Sequence, residues 1–164
     1  MAKVLEYLRG PPFEPLHNAS FRDLTRKVLF LISLATARRI GELQAVSKTV
    51  SFQGSDVFLS FLPEFQAKTE REDNPLPRSF IIKSLNDFVG NLNEELVLCP
   101  VRALRIYLDR TKDIVNRPRS LFVSPKTSSR PLSKNALSFF PEESHILGSG
   151  FGGGPWPLGS SSCP

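Results

Sequence analysis

The sequence predicts an α+β domain, mainly α, in which a small antiparallel sheet packs on the edge of the helices. Three observations carry that reading. An almost wholly apolar helical stretch follows Ser20, the hydrophobic period changes from helical to two beyond Ser47, and a proline-led amphipathic helix opens at Cys99-Pro100.

In chain order, residues 1–9 (MAKVLEYLR) space Val4, Leu5 and Leu8 to share one face of a short helix. Gly10-Pro11-Pro12 stops it, because proline lacks the amide hydrogen and constrains its predecessor. Ser20 offers an N-cap and Asp23 an acceptor for first-turn amides, which starts a helix near Phe21. Leu24, Val28, Leu31 and Ala35 recur at three- and four-residue steps, and Leu29, Phe30, Ile32 and Leu34 widen the stripe until the helix must be central to the core. A second helical piece, Arg39 to Val46, sets Ile40 and Leu43 on one side, so the helical region covers about 21–46.

Residues 56–62 (DVFLSFL) and 78–83 (RSFIIK) are rich in β-formers, and Pro63 to Pro77 reads as a further strand edge plus an exposed turn. The sheet therefore spans about 50–83. Pro100 takes the first position of a helix over about 100–112, with Val101, Leu104 and Leu108 facing inward. Ser120 to Ser124 reads as a brief strand, and Ala136, Leu137 and Phe140 mark a last helix over about 133–140. One domain over residues 1–140 is expected, with a separate tail over 141–164. Residues 148–164 are almost entirely Gly, Ser and Pro, a composition that cannot repay the entropy of ordering, so the tail is expected to be disordered.

Charge narrows the function. Residues 1–140 hold all 21 Lys and Arg but 14 of the 16 acids, a net +7, against −2 for the tail. Such a balance favours a nucleic-acid partner. The two cysteines, Cys99 and Cys163, form neither a disulfide framework nor a metal-ligand spacing, which fits a reducing compartment and no metal. Residues 1–10 lack the apolar core of a signal peptide and no apolar run reaches membrane-spanning length, so an intracellular protein is expected.

The chemistry concentrates in Ala35-Thr36-Ala37-Arg38-Arg39-Ile40-Gly41-Glu42-Leu43, which sets arginine and glutamate inside a run that otherwise looks like core helix. An arginine carried into such a neighbourhood usually meets an anion, and in a basic chain that anion is a nucleic-acid phosphate. Taken alone, Arg39 also reads as a helix-surface residue paired with Glu42 or Glu6. Lys68 sits beside Glu70, Arg71, Glu72 and Asp73, a stretch that by itself reads as a solvated turn. Tyr7 and Tyr107 read as structural, and His17 as a loop residue.

The block from Leu24 to Ser47 (LTRKVLFLISLATARRIGELQAVS) resembles the first conserved box of the tyrosine recombinases, the phage-integrase family. The resemblance extends through Lys68, the Cys99-Pro100-Val101 helix start and Leu121-Phe122-Val123-Ser124, and its flavour is closest to the recombinases of eukaryotic mobile elements such as DIRS-type retrotransposons. It implies a recombinase catalytic-domain fold, double-stranded DNA as partner, association with other recombinase protomers, a nuclear setting, and DNA recombination or integration without metal or cofactor. By the same resemblance Arg39 is the first catalytic arginine, holding transition-state phosphate oxygens, and Lys68 the hairpin lysine that protonates the leaving 5′ oxygen. Glu42 supports them from behind. Arg38, Arg71, Arg102, Arg105, Arg117, Arg119 and Lys126 are the further candidate DNA contacts.

The rest of the family's catalytic set is missing. His145 is followed by Ile146-Leu147-Gly148, so no His-x-x-Arg box forms, and no tyrosine follows Tyr107 to act as nucleophile. Without a nucleophile no covalent phosphotyrosyl linkage forms. The expectation is a truncated recombinase domain with a foreign tail, able to bind DNA and catalytically inactive. The alternative is a decayed mobile-element product acting as a marginal globular or protein-binding domain.

Overall fold

The computed structural model describes residues 2–67, 77–85 and 96–133. It has a mixed α+β architecture. Helix α1 (Ala2–Tyr7) leads through a turn-rich segment to α2 (Phe21–Thr36) and the short α3 (Ile40–Gln44). Strands β1 (Val46–Gln53), β2 (Asp56–Phe61) and β3 (Ser79–Ile82) form one antiparallel sheet in that order, and α4 (Pro100–Thr111) follows.

Local chemistry explains the boundaries. The Ser20 hydroxyl accepts the Asp23 N–H at 3.1 Å and donates to Asp23 Oδ2 at 2.6 Å, closing the first turn of α2. At the far end Ala37 turns left-handed, with φ +50, and stops the helix. The two helical pieces expected over 21–46 are present, but the second, expected over Arg39 to Val46, is shorter. The chain breaks at 37–39, α3 occupies Ile40–Gln44, and Val46 already opens a strand. Gly54, with φ +61, is the first central residue of the two-residue turn between Gln53 and Asp56. Pro100 stands at the start of α4, where its missing N–H costs nothing.

The inner face of the sheet presents Val57, Leu59, Phe61, Phe80 and Ile82 to the helices. Leu24, Val28, Leu31 and Ile32 of α2 meet Val101, Leu104 and Tyr107 of α4 in one apolar cluster, which Leu8, Leu16 and Leu121 complete. The expected strand at Ser120–Ser124 is present only as two isolated bridges, Ser47 to Ser120 and Val123 to Pro131. The expected helix over 133–140 and the tail over 141–164 lie outside the described residues, apart from Ser133, which is not helical.

Candidate nucleic-acid interface

The turn from α2 to α3 positions two neighbouring arginines in opposite senses. Arg38 folds back onto the sheet, its guanidinium carbon 5.1 Å from the centre of the Phe80 ring and 5.5 Å from that of Phe61, with Nη1 3.4 Å from Glu42 Oε2. Arg39 stands at the N-cap of α3, its carbonyl accepting the Glu42 and Leu43 N–H groups. Its side chain is exposed, not turned inward as its place in a core-like run predicts, and makes no hydrogen bond or ion pair among the described residues. The pairing with Glu42 or Glu6 expected for a surface Arg39 is not formed. Glu42 takes Arg38 instead, and Glu6 lies 3.9 Å from Arg9.

Around Arg38 the walls close. Glu42, Phe61, Phe65, Ala67, Pro77 and Arg78 surround a space of about 10 Å³, enough for one water and no ligand. Arg78 donates to the Phe65 carbonyl at 2.6 Å, tying the start of β3 to the segment after β2. Lys68 and Arg71 lie outside the described residues.

The other candidate contacts separate by partner. Arg102 is bidentate to Glu14, with Nη1 to Oε1 at 2.9 Å and Nη2 to Oε2 at 3.2 Å. Arg117 donates to the Thr111 and Leu121 carbonyls, and burial pushes its guanidinium below its usual pKa. Both guanidinium groups bind inside the fold. Arg119 is exposed and 3.2 Å from Glu64. Lys126 is exposed. Arg105 lies over the Phe52 ring, 4.1 Å from its centre. In the sheet register Phe52 sits opposite Val57, four residues and about 13 Å along β2 from Phe61, so Arg105 and Arg38 mark opposite ends of the sheet.

Tyr107 is fully buried between Phe21 and Phe122, and its hydroxyl accepts the Val123 N–H at 3.0 Å. Burial pushes its pKa up to about 12, against the opposing hydrogen bond from Val123. It is a core residue and cannot reach a substrate.

Two features went unread in the sequence. Lys27 is fully buried against Glu14, although its place between Leu24 and Leu31 on the apolar stripe was a visible signal. The stacking of Arg105 on Phe52 joins residues far apart in the chain and had none. No family model matches this chain, and no curated protein or solved structure does either. No helix among the described residues is long and apolar enough to cross a membrane.

Proposed function

We propose that this chain binds the phosphate backbone of double-stranded DNA, as a domain of tyrosine-recombinase kind that does not cleave the strand by itself. The supporting observation is the contrast at the α2–α3 turn. Arg38 is anchored to Glu42, Phe61 and Phe80, while Arg39, one residue on, is exposed with its guanidinium uncommitted among the described residues. A planar guanidinium beside a fixed anchor suits a bidentate phosphate contact. The net +7 of residues 1–140 favours the same polyanion.

Strand cleavage is left out because Tyr107 is buried with its hydroxyl engaged, and no tyrosine follows it in this sequence. A nuclear setting and association with other recombinase protomers belong to the same proposal.

The test is duplex binding by fluorescence anisotropy across a salt series. Affinity should fall steeply with salt, and Arg39→Ala should weaken it by about tenfold and reduce the salt slope by about one. Indifference to Arg39→Ala would leave general basicity alone. Absence of binding at low salt would favour the globular or protein-binding alternative.

A further inference from the structure

We infer a separate ligand site in the cleft between α4 and the β1–β2 hairpin, one that takes a small molecule joining a single anionic head to an apolar body. The cleft is a cavity of about 360 Å³ whose lining includes Ser55 of the hairpin turn, Ser84 beyond β3, and Val101, Arg102, Arg105 and Ile106 of α4. That volume suits a small ligand. The wall along Val101 and Ile106 is apolar, and among the described residues lining it there is no carboxylate.

Its two arginines differ in what they have left to give. Arg102 spends two of its five N–H donors on Glu14, which Lys27 shares. Arg105 is exposed and its side chain makes no hydrogen bond or ion pair among the described residues; its guanidinium lies over the face of Phe52. Stacking fixes the plane of a guanidinium and leaves the donors on its rim available, which is the arrangement that receives a carboxylate or phosphate. An anion there also answers the positive charge that Glu14 does not reach. The site lies at the end of the sheet opposite Arg38 and Arg39, and the inference does not rest on the DNA reading.

The experiment is an NMR titration of the full chain with phenyl phosphate and with benzoate, using inorganic phosphate and benzyl alcohol as half-probes. At least one of the two whole probes should shift the amides of Ser55, Arg105 and Ile106. Inorganic phosphate, lacking the body, and benzyl alcohol, lacking the charge, should each bind about tenfold more weakly. Arg105→Gln should weaken the better probe by about tenfold, and Arg105→Lys, which keeps the charge without the planar fork, by less.

Tighter binding of phenyl phosphate identifies a phosphate head, and tighter binding of benzoate a carboxylate. The inference is overturned if a half-probe binds as tightly as the whole ones, if the shifts map elsewhere, or if neither whole probe binds. It is equally overturned if Arg105→Gln, or Arg105→Lys should the former not fold, binds like the parent chain. Arg39→Ala on duplex DNA enters none of these outcomes, so the two readings fail separately.

Discussion

Lys27 Nζ lies 2.6 Å from Glu14 Oε1 and 2.7 Å from the Leu8 carbonyl oxygen, with none of the lysine side chain exposed. Arg102 grips the same carboxylate from α4, and the Leu16 N–H donates to its Oε2 at 3.0 Å. One carboxylate thus clasps the N-terminal segment to both α2 and α4. Burial pushes the Lys27 ammonium below its ordinary pKa, and Glu14 restores only part of the loss. For Glu14 burial acts to raise the pKa, but the hydrogen bonds from Arg102 and Lys27 outweigh it and hold the carboxyl below its usual value.

The clasp predicts an asymmetry between its members. Among the described residues, the Lys27 ammonium without Glu14 keeps only the Leu8 carbonyl; without Lys27, Glu14 keeps Arg102 and the Leu16 amide. Glu14→Ala should therefore cost about 3 kcal/mol or more, and Lys27→Met, an apolar chain of similar length, about 1 kcal/mol. Urea unfolding curves measure the order, and equal losses would reduce the clasp to an isolated pair.

The depressed Glu14 pKa fixes a direction with pH. The unfolded carboxyl takes its proton near 4.5 and the native one only at lower pH, so the clasp's stabilisation is complete above that range and is lost as pH falls through the native value. Glu14→Gln should flatten the acid limb of the stability profile. An unchanged slope would assign that limb to other carboxylates.

Tyr107 behaves in the opposite sense. With its pKa raised from 10.0 to about 12, the native phenol holds its proton after the unfolded one has released it. Its stabilisation is whole below about pH 10 and disappears as pH rises through about 12. Tyr107→Phe removes the acceptor from the buried Val123 N–H, at a cost of about 1–2 kcal/mol at neutral pH, and should remove part of the alkaline loss. Thermal melts from neutral to alkaline pH test both effects.

Helix α2 was legible because Ser20, Asp23 and the apolar steps from Leu24 agree about the same element. β2 and β3 were legible because they are rich in β-formers whose buried residues alternate with part-exposed ones in β2 and exposed ones in β3. β1 was legible only in part: the sheet is expected from about 50, but the strand opens at Val46, most of it is exposed, and an irregularity between Val46 and Val50 breaks its period of two. At the candidate interface the Arg38–Arg39 block was visible, but which arginine turns inward depends on Phe61 and Phe80, more than twenty residues further along the chain. The partner of Arg102 was hidden for the same reason, since Glu14 becomes its neighbour only through the fold, whereas Arg117 turns back to nearby backbone carbonyls that no side-chain pattern marks.

Arg38 and Arg39 should separate stability from binding. Arg38→Met loses the Glu42 pair and the two ring contacts, and should cost about 1 kcal/mol. Arg39→Ala removes an exposed side chain and should change stability by less than about 0.5 kcal/mol. If Arg39→Ala proves the more destabilising in chemical unfolding, the assignment of anchor and free arginine is reversed.

Ala37 supplies the last prediction, because its left-handed φ of +50 is a conformation that crowds any Cβ. Ala37→Gly relieves that crowding but gives the unfolded chain more freedom, and the two effects oppose each other. The steric relief should win at this helix end, where glycine is the common occupant, raising stability by about 0.5–1 kcal/mol. Because Arg38 still anchors the turn to Phe61 and Phe80, the direction of Arg39 is retained and duplex affinity should stay within about twofold. A more stable Ala37→Gly protein with DNA binding lowered by tenfold would mean that the strained turn itself, rather than the Arg38 anchor, aims Arg39.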